Sequence, residues 1–386
     1  MTPPLPFRAN ARLLDFMRQA GEPGLINLAA GVPGLDALPA DRLRECIERA
    51  LREEGAALFA YHHPAGDPAL RDRLAERLRL RGAAVAGGQL ITTTGCTQAL
   101  QVMLAVLLQP GDIVAVEAPA YYGMLELLSQ AGARVLPIPV RGDDGLDVEA
   151  AADALTRWRP RCLVVCSSLS NPSGATVPES NRERLVELCR ELGVRIIEDD
   201  IYAELVDAGA PKPMLAYDDG STVAYVSSFS KTVSPGLRVG VCVPGTLLEE
   251  FAARKCQQDL HSSVLSEVAL REFLEHGALD SHLENLRQRN RRRRTLALAA
   301  IERSFPLGTL MTHPRGGYML WAQLPRRLDL AEVRKRARVQ GIVFAAGPAF
   351  FAGEPEQSYL RLNCAKATEE DLTSGLETLG QILSQT

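Results

Sequence analysis

One lysine is distinguished by its neighbours. In SSFSKTVSPGLRVG, residues 227–240, Lys231 lies between hydroxyl side chains at the end of an apolar run, and Arg238 follows seven residues later. Lysine is rare in this chain, since only five of the 43 Lys and Arg residues are lysines. A partly desolvated lysine near other cations has a lowered pKa and is nucleophilic enough to form a Schiff base with an aldehyde. The sequence therefore predicts a reactive amine at residue 231.

Other stretches end strand-like runs with groups that could bind a ligand. TTTGCTQAL leads into a helix near Gly95, whose backbone N–H groups favour a phosphate, although a glycine before a helix is commonly only a turn. EAPAYYG places Tyr121 past a strand end, where it could stack on a planar ligand or belong to the core. IIEDDIY ends a buried strand with Glu198, Asp199 and Asp200, and buried carboxylates need a cation or a proton donor.

Together these stretches predict one cofactor. An aldehyde with a phosphate arm and a ring nitrogen requires a lysine for the aldehyde, a helix N-terminus for the phosphate, an aromatic side chain for the ring face and a carboxylate for the pyridinium. Pyridoxal 5′-phosphate is a cofactor with this aldehyde, phosphate arm and ring nitrogen. We expect no metal site, because the eight cysteines show neither CxxC nor Cys/His metal spacing.

The elements that position these residues alternate along the chain. From about residue 90, short apolar runs alternate with amphipathic stretches such as residues 97–108 and 179–192. The apolar runs are DIVAVEAP, ARVLPIPV, RCLVVCSS, VRIIEDD and TVAYVSSFS. This alternation predicts an α/β fold with a mostly parallel sheet, helices on both faces, and functional residues at the strand ends.

Beyond about residue 283 the pattern changes. A long helix is followed by the strand GGYMLWAQLP, by another helix, and by the strands GIVFAAG and SYLRLNC. We expect a smaller α+β domain over residues 283–386 and a large cofactor-binding domain over residues 51–282. The N-terminal segment, residues 1–50, is expected to join the small domain.

The ordered set of motifs resembles a known family. YHHPAGDPALR, TTGCTQAL, PAYYG, NPSG, EDDIY, SSFSKTVSPGLRVG and YLRLN are similar, in this order, to motifs of the fold-type-I pyridoxal-phosphate enzymes of the class I and II aminotransferase group. Within that group the chain looks closest to the aminotransferase-like domain of MocR-type bacterial regulators and to 2-aminoadipate aminotransferases. The resemblance implies a large sheet of the seven-stranded type and a homodimer with shared active sites.

The resemblance also implies a role for each residue of the site. Lys231 would form the Schiff base and then move the substrate α-proton, while Asp199 would pair with the pyridinium nitrogen. Tyr121 would stack on the ring. Asn171 and Tyr202 would hydrogen-bond the 3-oxygen of the ring.

The same resemblance assigns the phosphate and the substrate. Arg361 in YLRLN would bind the substrate α-carboxylate through two parallel bonds, helped by Asn171 and by the backbone of Gly31. The residues implied for the phosphate are Gly95, Cys96, Thr97, Ser228, Ser230 and Arg238, with Tyr61 reaching across from the partner subunit. Cys96 stands where relatives often have another small residue, and we interpret this difference as neutral because the backbone would bind the phosphate.

Composition narrows the class of protein. The net charge of −4 argues against a general affinity for nucleic acid. The basic run at residues 287–294 is interpreted as the solvated face of a helix over about residues 279–303 rather than as a phosphate-binding patch. No run is apolar enough for a membrane helix and residues 1–12 lack the core of a signal peptide, so we expect a cytoplasmic protein.

The leading hypothesis is an aminotransferase that moves an amino group from an α-amino acid to a 2-oxo acid. One alternative is another reaction of pyridoxal phosphate with an amino acid, such as elimination, cyclisation or decarboxylation, because a fold sets the cofactor and not the bond that breaks. The other alternative is a non-catalytic sensor domain of a MocR-type regulator. Only 25 residues precede INLAAGVP, which argues against a DNA-binding winged helix ahead of it.

Overall fold

A computed structural model describes residues 3–6, 14–15, 18, 22–275 and 277–386. These residues form an eight-stranded sheet, a four-stranded sheet and a two-stranded sheet, with helices packed against them. Parts of the predicted N-terminal segment 1–50 lie outside the described residues. So do most of residues 1–12, which were predicted to lack the core of a signal peptide. Among the described helices, none combines the length and the apolar composition that a membrane span requires.

The large sheet contains the strands that the alternation predicts. Its strands are β1 (Leu5–Pro6), β3 (Ile91–Thr93), β4 (Ile113–Ala118), β5 (Arg134–Pro139), β6 (Cys162–Cys166), β7 (Arg195–Asp199), β8 (Val223–Ser228) and β9 (Gly240–Val243). Their spatial order is β1-β5-β4-β6-β7-β8-β9-β3. The neighbours from β5 to β8 are parallel, whereas β1 and β9 are antiparallel to the strands beside them.

The predicted α/β fold with a mostly parallel sheet is confirmed. The sheet has eight strands among the described residues rather than the seven implied by the resemblance, because the two residues of β1 pair with the edge of β5. The antiparallel β9 was not predicted. Its four residues, GVCV, form a short apolar run directly after the turn that carries Arg238, and this run was not assigned to a strand.

The helices cover both faces of this sheet and continue beyond it. They are α1 (Ala40–Glu54), α2 (Pro68–Leu80), α3 (Cys96–Leu107), α4 (Tyr122–Gln130), α5 (Val148–Trp158), α6 (Glu179–Leu192), α7 (Leu248–Asp259), α8 (Val264–Glu275), α9 (Ala278–Ser304), α10 (Leu330–Val339) and α11 (Glu369–Ser384). Several begin at a side-chain cap: Asp67 accepts the Leu70 N–H before α2, and Asp147 caps α5 in the same way.

Alternate residues of each strand enter two separate apolar layers. In β6, Leu163 and Val165 pack in the layer that contains α5 and α6, whereas Cys162 and Val164 pack in the layer that contains α3. Both faces of the strand are therefore buried, which explains why the sequence of β6 is continuously apolar.

The C-terminal part forms the four-stranded sheet and supplies one strand of the two-stranded sheet. The four-stranded sheet is built from β10 (Leu310–Met311), β11 (Met319–Gln323), β13 (Ala345–Ala346) and β14 (Tyr359–Asn363). The two-stranded sheet pairs β2 (Ile26–Asn27) with β12 (Ile342–Val343). The prediction of one strand over GIVFAAG is wrong, because the chain changes sheets at the buried Phe344. The division into domains remains a prediction, and its boundary after residue 282 falls inside α9.

The basic run of α9, residues 287–294, is partly buried, so its interpretation as a solvated face is wrong for three residues, Asn290, Arg293 and Arg294. Arg293 donates to the carbonyl oxygens of Ala365 and Ala367. Arg294 donates to the Gly317 carbonyl and forms an ion pair with Asp207. These carbonyl oxygens lie in the chain segments beside β11 and β14 and need donors when they are buried, which the helix periodicity alone does not indicate.

Candidate active site

A cavity of about 130 Å³ opens at the carboxyl ends of the central parallel strands. The predicted site residues that line it are Gly31, Cys96, Thr97, Tyr121, Asn171, Asp199, Tyr202, Ser230, Lys231 and Arg238. The lining residues that were not predicted are Ala30, Val32, Leu100, Tyr122, Cys166 and Ile201. Most of these six are apolar neighbours of predicted residues, and only their position beside a predicted residue could have indicated them.

Lys231 follows β8 and extends its amine across the cavity to the N-terminal segment. Its Nζ donates to the Gly31 carbonyl oxygen at 2.6 Å and lies 5.9 Å from the centroid of the Tyr202 ring. Burial, followed by the positive charge of Arg361, lowers the pKa of the Lys231 amine to about 8. A substantial fraction of this amine is therefore unprotonated, and nucleophilic, near neutral pH.

Asp199 is the last residue of β7 and the one acid of its cluster that lines the cavity. The Cys96 thiol donates to Asp199 Oδ1 at 3.6 Å, and the Ile201 N–H donates to the same oxygen at 3.3 Å. Burial raises the pKa of Asp199 to about 6, and these two donors oppose the rise by stabilising the ionised form. Cys96 thus contacts the site through its side chain, in addition to any role of its backbone.

The side chains of the two flanking acids, Glu198 and Asp200, lie on the side of the sheet opposite to that of Asp199. Glu198 accepts hydrogen bonds from Ser167 and from the Met214 N–H. Asp200 pairs with Arg81 at 2.6 Å and is fully buried. Because successive side chains of a strand point to opposite faces, the pleat separates Asp199 from both neighbours.

The start of α3 forms another wall of the cavity. Gly95 has φ +79°, and a Cβ at this position would lie 2.3 Å from Nη2 of Arg238, so only glycine allows the guanidinium to pack here. Arg238 donates to the Thr94 carbonyl at 3.2 Å and to Ser230 Oγ at 3.3 Å. No side chain caps α3, which leaves the first backbone N–H groups of the helix for an anion.

One predicted phosphate residue lies behind the cavity wall. Ser228 is not among the lining residues, and its hydroxyl lies 2.9 Å from both Ser230 Oγ and the Val239 carbonyl oxygen. It also accepts the Ser230 N–H at 3.1 Å. In this structure Ser228 therefore holds the turn that carries Ser230.

Arg361 is fully buried beside the cavity, on β14. Its Nη1 donates to Asn171 Oδ1 at 2.8 Å, and its Nη2 donates to the Ala29 carbonyl. The guanidinium carbon lies 4.9 Å from the ring centroid of Phe350 and 5.6 Å from that of Tyr122. These contacts fix the orientation of a cation whose charge is available to an anionic substrate group.

Tyr121 and Tyr202 bring aromatic surface to the cavity. Tyr121 precedes α4, and a Cβ on residue 123 would lie about 2.5 Å from its ring, so Gly123 makes room for it. Tyr202 is buried, and its ring packs edge-on against that of Tyr318. Both rings are held by packing and present little freedom of rotation.

Tyr61 lies away from the cavity of its own chain. It is 83% exposed, and its ring makes an edge-on contact with His261 at 5.6 Å. Nothing in the described part of the same chain brings it to the cofactor cavity. That Tyr61 serves the cofactor of another subunit remains a prediction.

Asn363 is a further residue of the site region that sequence reasoning missed. Its Nδ2 donates to the carbonyl oxygens of Ala30 and Val32, and its Oδ1 accepts the Ala365 N–H. Asn363 thereby fixes the segment that presents Gly31 to Lys231. YLRLN was singled out, but the pattern gave no reason to choose its asparagine.

The residues present fit pyridoxal phosphate. The cavity combines an amine of lowered pKa, a carboxylate, aromatic rings and an uncapped helix N-terminus beside an arginine that packs on a glycine. This set of donors matches the aldehyde, the ring nitrogen, the ring face and the phosphate, respectively. Within the described residues there is no group of three or more His, Cys, Asp or Glu side chains that could hold a metal.

Comparisons with known proteins agree with this fit. The family model described as aminotransferase class I and II matches residues 23–379. A 2-aminoadipate transaminase from Thermus thermophilus is 33% identical over 96% of this chain and 92% of its own. YjiR from Escherichia coli, an uncharacterized HTH-type transcriptional regulator, is 29% identical over 96% of this chain and 79% of its own.

The fold of this chain is also similar to that of a solved aminotransferase structure. LysN, an alpha-aminoadipate aminotransferase from Thermus thermophilus, was solved in complex with N-(5′-phosphopyridoxyl)-L-leucine. The two chains superpose with a TM-score of 0.89 and are 32% identical, over 98% of this chain and 96% of LysN.

Proposed function

The chain belongs to the class I and II aminotransferases, and on that premise we propose that it moves an amino group from an α-amino acid to a 2-oxo acid, with Lys231 as the residue that binds pyridoxal 5′-phosphate covalently. The observation that carries this proposal is the Lys231 amine, whose pKa is lowered to about 8, in one cavity with Asp199 and the N-terminus of α3. When bound, the cofactor supplies an aldehyde that takes up the amino group and a ring that accepts the electron pair left by α-proton removal.

The ring end of the cavity, defined as Asn171, Asp199 and Tyr202, would hold the cofactor ring. Both donors of Asp199 reach Oδ1, so Oδ2 is left to accept the ring N–H and to keep the proton on that nitrogen. Asn171 Oδ1 accepts from Arg361 Nη1, which leaves Asn171 Nδ2 to donate to the ring 3-oxygen together with the Tyr202 hydroxyl.

The phosphate end, defined as residues 94–97 and Arg238, would hold the phosphate. The backbone N–H groups at the start of α3 and the guanidinium of Arg238 supply positive potential on adjacent sides. The Ser230 hydroxyl, already within hydrogen-bond distance of Arg238, is placed to donate as well.

Lys231 would move the substrate proton and Arg361 would position the substrate. When Lys231 is not linked to the cofactor, its unprotonated Nζ would be a base within the cavity that takes the substrate α-proton and returns it. In this structure Lys231 Nζ donates to the Gly31 carbonyl oxygen at 2.6 Å. Arg361 would bind the α-carboxylate, and its contacts with Asn171 and Phe350 set the direction of the two parallel N–H bonds.

A single-turnover experiment tests the reaction. The holoprotein is mixed with amino acids one at a time, and the released cofactor and the acid product are identified by mass. We expect conversion of the cofactor to pyridoxamine 5′-phosphate with one equivalent of 2-oxo acid. Release of ammonia or carbon dioxide would instead indicate elimination or decarboxylation, and binding without turnover of any amino acid would indicate a sensor.

We also propose that two chains form a homodimer with shared active sites. The support is that Phe59, Tyr61 and Leu260 expose apolar surface, between 53% and 83% of each residue, while Arg238 at the phosphate end is open to solvent. Tyr61 of one chain would then reach the cofactor phosphate of the other.

Complementation tests the shared site. Lys231→Ala and Tyr61→Glu chains are each expected to be nearly inactive, the second because a carboxylate would face the phosphate. After the two are refolded together, half of the dimers are mixed and each has one intact site, so roughly a quarter of wild-type activity should return. If Tyr61 serves its own chain, every site carries a lesion and the mixture stays inactive.

A further inference from the structure

A second lysine, the fully buried Lys255, belongs to a hydrogen-bond network behind the phosphate end. The network begins at Thr94, the residue before Gly95. Thr94 N–H donates to Gln98 Oε1 at 2.8 Å, and the Thr94 hydroxyl donates to Asp259 Oδ2 at 3.2 Å. The Thr94 carbonyl accepts from Arg238. All three polar groups of Thr94 are thus engaged, so the turn into α3 is fixed from three directions.

Asp259 connects this turn to α7. Its Oδ2 also accepts from Gln98 Nε2 at 2.8 Å, so one carboxylate oxygen holds two residues of the α3 start. Asp259 is the last residue of α7, and it is 23% exposed at the side chain. Without compensation, its negative charge would oppose the binding of a phosphate at the same turn.

Lys255 supplies that compensation. It lies one helical turn before Asp259, is fully buried, and donates from Nζ to Asp259 Oδ1 at 3.0 Å. A buried ammonium is costly unless it is paired, so this position requires the carboxylate. Asp259 therefore accepts hydrogen bonds from the turn, while the charge of Lys255 neutralises the charge of its carboxylate.

We propose that the Lys255–Asp259 pair is a positioning element for the phosphate of the cofactor. The pair sets the position of the turn at residues 94–95 and removes the repulsion that an unpaired Asp259 would exert on the phosphate. This inference rests on the proposed function, which places the phosphate at the start of α3. Its consequence is specific: loss of the pair weakens the binding of the phosphate and leaves the binding of the ring unchanged.

The experiment compares two ligands on the apoprotein. Dissociation constants are measured by calorimetry for pyridoxal 5′-phosphate and for pyridoxal, which lacks the phosphate. Thr94→Ala removes the hydroxyl that Asp259 accepts, and Thr94→Ser keeps it. We expect Thr94→Ala to bind pyridoxal phosphate roughly tenfold more weakly and pyridoxal unchanged, because one hydrogen bond of the turn is lost. Thr94→Ser should recover most of the affinity for pyridoxal phosphate that Thr94→Ala loses.

The charge of the pair is tested by a second set of variants. Lys255→Met leaves Asp259 unpaired and should lose more affinity for pyridoxal phosphate than Thr94→Ala. The double variant Lys255→Met/Asp259→Asn removes both charges while the asparagine oxygen still accepts from Thr94 and Gln98. It should recover most of the affinity, and it keeps the test available if the single variant does not fold.

Each outcome has a distinct meaning. Equal losses for pyridoxal and pyridoxal phosphate would show general damage to the fold and would overturn the proposal, as would unchanged affinity for both ligands in all variants. If the wild type itself binds the two ligands equally well, the phosphate is not held at the start of α3, and the proposed function fails together with this inference. A loss confined to the phosphorylated ligand, restored in the double variant, supports it.

Discussion

The two ends of the cavity are built in different ways. At the ring end, Asn171 and Tyr202 are 5% and 4% exposed, and the pKa of Asp199 is raised by burial. At the phosphate end, Thr94, Thr97 and Arg238 are exposed, and backbone N–H groups of α3 supply part of the binding surface. One chain therefore closes the ring end, whereas the phosphate end is left accessible to a second chain.

This difference has a consequence for substitution. A buried polar side chain has no replacement when it is removed, because water cannot enter to take its place. Exposed donors and backbone N–H groups at the phosphate end would share one ligand, so that each would contribute only part of the binding energy. We therefore expect single changes at the ring end to be large and changes at the phosphate end to be graded.

The largest effect is expected for Lys231→Ala. Loss of the amine removes both the covalent link to the cofactor and the base for the α-proton, so activity should fall by at least roughly 10⁴-fold. Borohydride treatment of the wild-type holoprotein should fix the cofactor on the peptide that contains Lys231. Label on Lys212 or Lys255, seen by peptide mass mapping, would contradict the assignment.

Asp199→Ala should mainly lower the rate of the reaction, whereas Asp200→Ala should mainly lower the stability of the fold. The first variant should lower the rate of α-proton removal by about 10³-fold or more, because no carboxylate then holds the proton on the ring nitrogen. The second leaves Arg81, whose side chain is 15% exposed, without its carboxylate partner and should cost about 3–5 kcal/mol of unfolding free energy. Urea midpoints and kcat per folded molecule distinguish the two effects. Similar kcat losses from both would mean that the wrong acid was chosen.

The reactivity of Lys231 should follow its lowered pKa. Only the unprotonated amine attacks an aldehyde, so the rate of cofactor incorporation into the apoprotein should rise with pH until about 8 and then level off. Because the charge of Arg361 contributes to the lowering, Arg361→Gln should move this midpoint to higher pH. Stopped-flow absorbance over pH 6–10 measures both, and a midpoint near the ordinary lysine value in the wild type would contradict the geometry.

Arg238→Gln tests the graded response of the phosphate end. The α3 N–H groups and Ser230 remain, so affinity for pyridoxal phosphate should fall by about 10- to 100-fold while kcat at saturating cofactor changes by only a few fold. A loss of kcat as large as that of Asp199→Ala would show that the two ends do not differ in the way described above.

The smallest effect is expected for Cys96→Ala, which removes a weak donor from Asp199 Oδ1. Without it the pKa of Asp199 should rise, so the decrease in cofactor affinity on the acid side should begin at a pH higher by less than about one unit. Cys166→Ala is the matched control, because its buried thiol also lines the cavity but lies near the Ser168 carbonyl instead. Identical pH profiles for the two variants would mean that the Cys96 thiol does not stabilise the Asp199 carboxylate.

Much of the fold could be predicted because strands and helices leave local patterns. The helix over residues 179–192 was predicted with the observed bounds, and each of the five apolar runs contains a strand. The prediction failed where the pattern is uniform. GIVFAAG gives no sign that Val343 and Ala345 pair in different sheets, since both are equally apolar.

The sequence by itself determined which kinds of groups end the strands, and so which cofactor they suit. Only the tertiary structure decided which atoms meet. Lys231 reaches Gly31 across 200 residues, and Arg361 reaches Asn171 across 190. It also decided that Asp199 rather than Asp200 faces the cavity, and that Arg293 is buried. The reason is physical: hydrophobic periodicity reports neighbours within a few residues, whereas hydrogen bonds and desolvation depend on distances through space that only packing sets.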